Sequence, residues 1–210
     1  WNAQALSGSL MNFSVLEGWK VKLLDHLEER GHPFARIYLD SFQLEENGLS
    51  ARLNIHRGPL YHIDSIRVYG DVKIDNRFLQ RYLDITNGSV YNKKKLQAIS
   101  SRLATLTYVQ EVQPSNLTLL GTGSVLNLYL KQRRSSQVAV LVGLLPNSDA
   151  TAAKKFLVTG EANILLRNAL GAAETIGLNW QQLQVQSPRL NLLYEHPYIF
   201  QSHFGLNFQF

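Results

Sequence analysis

The sequence has no cysteine among its 210 residues. A chain without thiols forms no disulfide, has no cysteine nucleophile and offers no cysteine-ligated metal site. It also lacks any run of about 18 apolar residues, which excludes a transmembrane helix by sequence. The chain opens at Trp1 without a charged and then apolar leader, as expected of a trimmed secreted chain and equally of a cytosolic one.

Clustered positive charge is also missing. The net charge is +5, and residues 1–133 contain 16 basic against 12 acidic residues, whereas residues 134–210 contain 5 against 4. This surplus is too dilute for a nucleic-acid-binding surface, which normally groups basic residues with aromatic ones. We therefore expect no nucleic-acid partner.

Catalytic motifs are absent as well. The six histidines show no H-x-x-x-H spacing, and the sequence has neither G-x-S-x-G nor a phosphate-binding glycine loop with a lysine. Asp25, Glu28 and His32 fit a solvated helix end better than a metal site, because their side chains would not converge tightly. We expect no enzyme activity, no cofactor and no bound metal.

The last third of the sequence alternates between apolar and polar residues. From Phe204 to Phe210 every even position is apolar and every odd position is glycine or polar, which predicts a strand with one apolar face. The same even phase recurs in earlier segments, at Val138, Val140, Val142 and Leu144, at Phe156, Val158, Ala162, Ile164 and Leu166, at Ile176, Leu178 and Trp180, and at Leu190, Leu192 and Tyr194.

Consecutive strands of this kind fit the wall of an outer-membrane β-barrel, whose residues face lipid and lumen in turn. A soluble β-sandwich shows the same alternation, and the pattern alone leaves both open. Residues 137–210 are predicted to form an antiparallel meander whose even-numbered residues share one face. About five strands are present where the smallest bacterial barrels use about eight, so we interpret the chain as the amino-terminal part of a longer protein.

The region before this meander contains two related units. In the first, residues 1–57, helical spacing over about 13–29 is followed by strands at about 35–44 and 50–57, with a turn at Glu46, Asn47 and Gly48. In the second, residues 58–133, the pattern predicts a β-α-α-β-β order with helices at about 75–84 and 92–107. We call residues 1–57 the first module and residues 58–133 the second module.

The second module is predicted to have a three-stranded sheet covered by two helices. Its first strand passes through Tyr61, Ile63, Ile66 and Val68, and the other two strands lie at about 108–119 and 124–132. Because a helix and a sheet each hide one apolar face by packing together, six residues are predicted to be buried: Ile66, Leu96, Ile99, Leu103, Leu126 and Leu128.

Three consecutive lysines, Lys93, Lys94 and Lys95, begin the predicted helix at about 92–107. Positive charge in a first turn opposes the helix dipole. We interpret the run as a solvated face, with contact to an acidic partner or to anionic headgroups as the alternative.

Several stretches resemble a known family. Residues 58–70 (GPLYHIDSIRVYG), 88–92 (GSVYN) and 106–112 (LTYVQEV) resemble the polypeptide-transport-associated (POTRA) module, over residues 58–133 in full and 13–57 in part. Residues 134–210 resemble the first strands of the barrel of the BamA/TamA superfamily, with 168–174 (NALGAAE) as a hairpin turn and 195–200 (EHPYIF) as a strand-ending corner. The implied fold class is α+β POTRA modules followed by an all-β antiparallel meander.

The resemblance implies an outer-membrane assembly factor with residues 1–133 in the periplasm. It would receive unfolded barrel polypeptides by β-strand addition and insert them into the outer membrane, with lipid and accessory lipoproteins as further partners. A two-partner-secretion type of translocator, a soluble periplasmic β-sandwich module and a POTRA-barrel tail on an upstream enzyme are the alternatives.

The resemblance also implies sites without catalytic chemistry. Edge strands of the two modules would bind polypeptide through Val109, Gln110, Val112, Gln113, Ile37 and Leu39. The first barrel strand, at about 137–145, would be the lateral seam, with Val138, Val140 and Val142 toward lipid. Further lipid-facing residues would be Ile176, Leu178, Trp180, Leu206 and Phe208.

Overall fold

The computed structural model describes residues 12–46, 48–146, 156–182, 187–199 and 202–210. The elements follow in the order α1 (Phe13–Glu28), β1 (Arg36–Glu45), β2 (Gly48–His56), β3 (His62–Tyr69), α2 (Asn76–Tyr82), β4 (Ser89–Val90), α3 (Lys93–Gln97), α4 (Ile99–Ala104), β5 (Val109–Leu120), β6 (Gly123–Gln132), β7 (Gln137–Pro146), β8 (Phe156–Arg167), β9 (Thr175–Gln182), β10 (Pro188–His196) and β11 (Leu206–Gln209). No helix among these described residues is long and apolar enough to cross a membrane.

The chain divides into two compact units. One comprises the residues up to Ile66 together with 85–99 and 116–127. The other comprises 67–84, 100–115 and 128–210. The second module therefore contributes to both units.

The first module packs α1 against the β1–β2 hairpin. The Asn12 side chain accepts hydrogen bonds from the N–H groups of Ser14 and Val15 and caps α1. The core consists of Leu23, Leu27 and Ile37, with Trp19, Leu24, Ala35 and Leu53 packed against it. β1 pairs antiparallel with β2 and has a bulge between Asp40 and Gln43. The predicted turn joins the paired strand ends, although Asn47 itself lies outside the described residues.

The sheet of the second module has four strands, in the order β4-β3-β6-β5, and not the three predicted. The additional strand β4 has only two residues, Ser89 and Val90, which pair with Ile63 and His62. Two residues show no periodicity, so the sequence pattern could not reveal this strand.

The predicted helix at about 92–107 is two shorter helices, α3 and α4, separated at Ala98. α4 ends at Ala104 because the next N–H groups form tighter three-residue bonds, from Thr105 to Arg102 O and from Leu106 to Leu103 O. Of the six predicted core residues, Leu96 is only half-buried. The others are all at most 4% exposed: Ile66, Ile99, Leu103, Leu126 and Leu128.

The five C-terminal strands form one antiparallel sheet in the order β11-β10-β9-β8-β7. Even residues oppose even residues at every interface: Val138 faces Ile164, and Leu178 faces both Ile164 and Leu192. Tyr194 faces Phe208 in the last pair. Directly opposed residues lie on the same side of a sheet, so the even-numbered residues share one face as predicted.

The even face remains uncovered. Val138, Val140 and Val142 are each 66–69% exposed, and no second sheet packs over them within the part of the chain that the structure describes. This arrangement differs from a β-sandwich, in which two inner faces bury each other. The strand predicted from Phe204 to Phe210 is shorter in the structure. β11 begins only at Leu206, and Phe204 lies in the preceding connection.

Candidate functional site

The predicted polypeptide-binding strand of the second module is β5, which lies at one edge of its sheet. Edge strands carry backbone groups that can pair with another chain. Part of this edge is already occupied: Pro114 has no N–H, and the N–H of Ser115 donates to Glu111 Oε1 at 3.2 Å. Strand addition would therefore use the portion from Gln110 to Gln113.

The four predicted residues of β5 differ in their surroundings. Val109 is buried and its N–H donates to Leu106 O at 3.3 Å, so that group is not available to a ligand. Gln110, Val112 and Gln113 are exposed. Three of the four predicted residues therefore remain candidates for polypeptide binding: Gln110, Val112 and Gln113.

The corresponding prediction for the first module falls on β1. Ile37 is a core residue there and Leu39 is half-buried, so only their backbone groups could serve a ligand. The bulge after Asp40 interrupts the strand, and Ser41 has a φ of +53°. A bulge twists a strand edge away from regular pairing, which makes β1 the less regular of the two predicted edges.

The predicted lateral seam is β7, which has β8 on one side and no strand on the other within the described residues. Its ten residues match the 9–11 that a tilted transmembrane strand needs. Val138, Val140 and Val142 lie on its exposed even face. The predicted lipid-facing residues of the other strands share that face: Ile176, Leu178, Trp180, Leu206 and Phe208.

The opposite face of the sheet carries hydrogen-bonded polar groups. Gln181 donates to Glu161 Oε1 at 3.1 Å across β9 and β8, and Asn207 donates to Glu195 Oε1 at 3.0 Å across β11 and β10. Polar side chains on one face and apolar ones on the other suit a wall between water and lipid.

The β8–β9 turn, residues 168–174, contains a buried carboxylate that the sequence pattern did not identify. Glu174 is 1% exposed. Its carboxylate accepts hydrogen bonds from the N–H groups of Leu170 and Ala172. Asn168 Oδ1 accepts one from the Ala173 N–H at 2.9 Å. These bonds fold the turn around Glu174.

The same turn is bonded to the segment that precedes α2. Asn168 Nδ2 donates to Lys73 O at 2.8 Å, and the Asp75 N–H donates to Gly171 O at 2.8 Å. Gly171 has a φ of +89°, a conformation that glycine adopts without strain. The turn therefore joins the C-terminal sheet to the second module by hydrogen bonds. In the sequence, this turn was indicated by residues 168–174, which resemble a hairpin turn of the BamA/TamA barrel.

An aromatic cluster lies beside this turn. Phe78 stacks on Tyr82 with ring centroids 5.3 Å apart and contacts Tyr198 at 5.6 Å. Tyr108 is buried, and this burial raises its pKa, with further contributions from Tyr82, Glu174 and Tyr198. Tyr198 of the β10–β11 connection therefore contacts α2 itself, next to the turn that is bonded to the segment before α2.

Lys93 has acidic partners, contrary to the solvated face predicted for it. Its Nζ lies 2.9 Å from Asp25 Oδ1 and 2.5 Å from Glu28 Oε2, and hydrogen bonds to Glu28 and then Asp25 raise the pKa of Lys93. Asn92 Nδ2 also donates to Glu29 O at 2.8 Å. Asp25 and Glu28 serve this ion pair, and the described residues contain no cluster suited to a metal.

Comparison with protein families gives one match. The POTRA model, described as "Surface antigen variable number repeat", matches residues 61–133. Residues 61–133 are a POTRA module. The match lies inside the predicted second module, and it supports the predicted outer-membrane location with this part in the periplasm. The boundaries of the other predicted domains stay predictions.

Solved structures with a similar fold accompany this match. BamA from Haemophilus ducreyi, a structure lacking POTRA domains 1–3, aligns with a TM-score of 0.61 and 19% identity, over 96% of this chain and 37% of that one. CdiB from Acinetobacter baumannii aligns with a TM-score of 0.46 and 20% identity, over 92% of this chain and 34% of that one. Comparison with curated protein sequences gives no significant match.

The likeness to BamA concerns the fold. Together with the POTRA match it confirms the predicted POTRA module in residues 61–133 and the predicted fold class, α+β elements followed by an antiparallel meander. The chain spans about a third of the length of the solved structures that it matches.

Proposed function

We propose that the protein is an outer-membrane assembly factor that receives unfolded barrel polypeptides by β-strand addition and inserts them into the outer membrane. The observation that carries this proposal is β7, a ten-residue strand that directly follows the POTRA module and has an exposed apolar even face. In the proposed role, the backbone of β7 pairs with an incoming strand while the apolar residues of that strand turn to lipid. The proposal requires backbone hydrogen bonding and no enzyme chemistry.

The second support is β5 at the edge of the POTRA sheet. Backbone pairing at Gln110–Gln113 would hold an extended polypeptide without demanding a particular sequence, because main-chain groups are the same in every substrate. Unfolded outer-membrane polypeptides are therefore the proposed partners, with accessory lipoproteins as a further proposal that rests on the family resemblance.

The experiment is a disulfide-crosslinking test in the full-length protein. Because this chain contains no cysteine, single cysteines can be introduced without competing thiols from it. Leu141→Cys on β7 is paired with cysteines along the terminal strands of a substrate barrel during its assembly. Asn179→Cys on β9 is the matched control, since β9 is paired on both sides.

Position-dependent crosslinks from Leu141→Cys, absent from Asn179→Cys, are the expected result. Equal crosslinking at both positions, or none at Leu141→Cys during productive assembly, would overturn the seam. The two-partner-secretion alternative predicts a different result: depletion of the protein would abolish the export of one soluble partner and leave the levels of other barrel proteins unchanged.

A further inference from the structure

Five basic residues lie in the segments that meet where the C-terminal sheet joins the POTRA module. Lys73, Lys131, Arg133 and Arg134 are exposed, and Arg167 is half-buried. The structure shows no ion pair for any of them within the residues that it describes. We call these five residues the basic collar.

Hydrogen bonds hold the segments of the basic collar together. The Arg167 N–H donates to Ser136 Oγ at 3.1 Å, which fixes the end of β8 beside the 133–136 linker. The Gln132 N–H donates to Asp71 Oδ1 at 3.1 Å, and Lys73 O accepts from Asn168. The five basic residues therefore lie in one bonded region although they are far apart in sequence.

The acidic groups of these segments do not cancel this charge. Asp71 accepts the Gln132 N–H, Asp75 accepts the Arg77 N–H and caps α2, and Glu174 is buried among turn amides. These segments thus contain three carboxylates against five cations, and the carboxylate of Glu174 is shielded from solvent. The basic collar has a positive surplus at its surface.

The position of the basic collar relative to the apolar face indicates its partner. The 133–136 linker has four residues and spans at most about 14 Å, and the exposed Val138 follows two residues later. The headgroup layer occupies roughly 5–7 Å on each side of the hydrocarbon core. A sheet with its even face in lipid would place the linker arginines at headgroup level.

We propose that the basic collar binds the anionic phospholipid headgroups of the periplasmic leaflet and so fixes the POTRA module at the membrane surface. Basic residues next to a membrane segment are attracted to anionic lipid, and continuity with the apolar face favours a bilayer over a dissolved anion. This inference rests on the membrane location of the sheet and is independent of the assembly role.

The test measures lipid selectivity in the full-length protein. The protein is reconstituted into phosphatidylcholine bilayers containing spin-labelled phosphatidylglycerol or spin-labelled phosphatidylcholine, and the relative association constant of the two labels is determined. The variant combines Lys73→Gln, Lys131→Gln, Arg133→Gln and Arg134→Gln. The control removes four exposed charges elsewhere in the chain: Lys22→Gln, Arg30→Gln, Arg52→Gln and Lys94→Gln.

We expect the wild type and the control to prefer phosphatidylglycerol and the collar variant to lose roughly threefold or more of that preference. The preference should also vanish near 1 M salt, where the Debye length is about 3 Å. Circular dichroism checks that all variants retain their strands. Equal selectivity in the collar variant and the control would overturn the proposal. So would loss of the wild-type preference on adding inorganic phosphate at constant ionic strength, which would indicate a phosphate site.

Discussion

At the scale of single residues, Glu174 organises the contact between the C-terminal sheet and the POTRA module. Its two carboxylate oxygens accept the N–H groups of Leu170 and Ala172, so the turn has a fixed shape when it presents Gly171 O to Asp75. Because these internal hydrogen bonds give the turn one shape, they couple the position of the C-terminal sheet to that of the segment before α2.

Replacing Glu174 with glutamine should loosen this turn. A glutamine has one oxygen and one NH₂ group, so one of the two N–H donors would be left without an acceptor, at a cost of about 1–3 kcal/mol. We expect faster hydrogen–deuterium exchange at residues 168–174 in Glu174→Gln. The exposed Glu29→Gln is the control, and unchanged protection in Glu174→Gln would contradict the assigned role.

Tyr108, which lies at the same contact, should make the free energy of unfolding depend on pH. Its pKa is raised above the usual value of 10.0, chiefly by burial. The folded protein therefore keeps the Tyr108 proton after the unfolded chain has lost it. This contribution to stability is fully present below about pH 10 and is lost as the pH rises through the folded-state pKa.

The free energy of unfolding should therefore fall above about pH 10, and the fall should be smaller in Tyr108→Phe, which has no proton to lose. Denaturant unfolding at a series of pH values measures both slopes. Tyr38→Phe, an exposed tyrosine of β1, is the control and should leave the slope unchanged. Identical slopes in Tyr108→Phe and wild type would show that Tyr108 does not couple to folding.

At the scale of elements, the edge of β5 is expected to act through its backbone. Gln113→Pro removes one N–H from an exposed edge position and should weaken crosslinking to unfolded barrel polypeptides while leaving the fold largely intact. Gln113→Ala keeps the N–H and should bind like the wild type. Persistence of full crosslinking in Gln113→Pro would show that β5 is not used for strand addition.

The two faces of the C-terminal sheet should respond oppositely to the same charge. Leu178→Lys on β9 would place an ammonium group toward lipid and should cost about 2–4 kcal/mol if the residue lies near the bilayer midplane. Asn179→Lys, one residue later on the polar face, should cost clearly less, because a charge on the lumen side stays in water. Urea unfolding from lipid vesicles compares the two, and equal costs would mean that the even face does not meet lipid.

At the scale of the whole molecule, the uncovered even face controls solubility. Large apolar patches on a water-exposed surface promote association, and this sheet exposes the side chains of β7 along its full length. The 210-residue chain should therefore dimerise, exchange strands or require detergent. Light scattering in detergent-free buffer measures this, and a stable monomer would favour the sandwich interpretation over the membrane one.

The periodic spacing of apolar residues along the sequence predicted much of the fold. The even phase of the last third fixed which residues share a face, because side chains alternate along every strand. The β-α-α-β-β order of residues 58–133 followed from helical and strand spacing in the same way. Ile63 and Ile66, an odd and an even position of β3, are both buried, so the alternation changes phase within that strand.

Tertiary structure alone decided the features that depend on distant residues. The two-residue strand β4, the pairing of Lys93 with Asp25 and Glu28, and the bonds from the β8–β9 turn to Lys73 and Asp75 have no periodic signal. These contacts join backbone carbonyls, amides and single charges that are far apart in sequence. Because almost every residue carries such a group, the sequence does not show which of them will pair. Periodicity records which face a residue occupies, whereas only the folded chain shows which distant groups come within hydrogen-bonding distance.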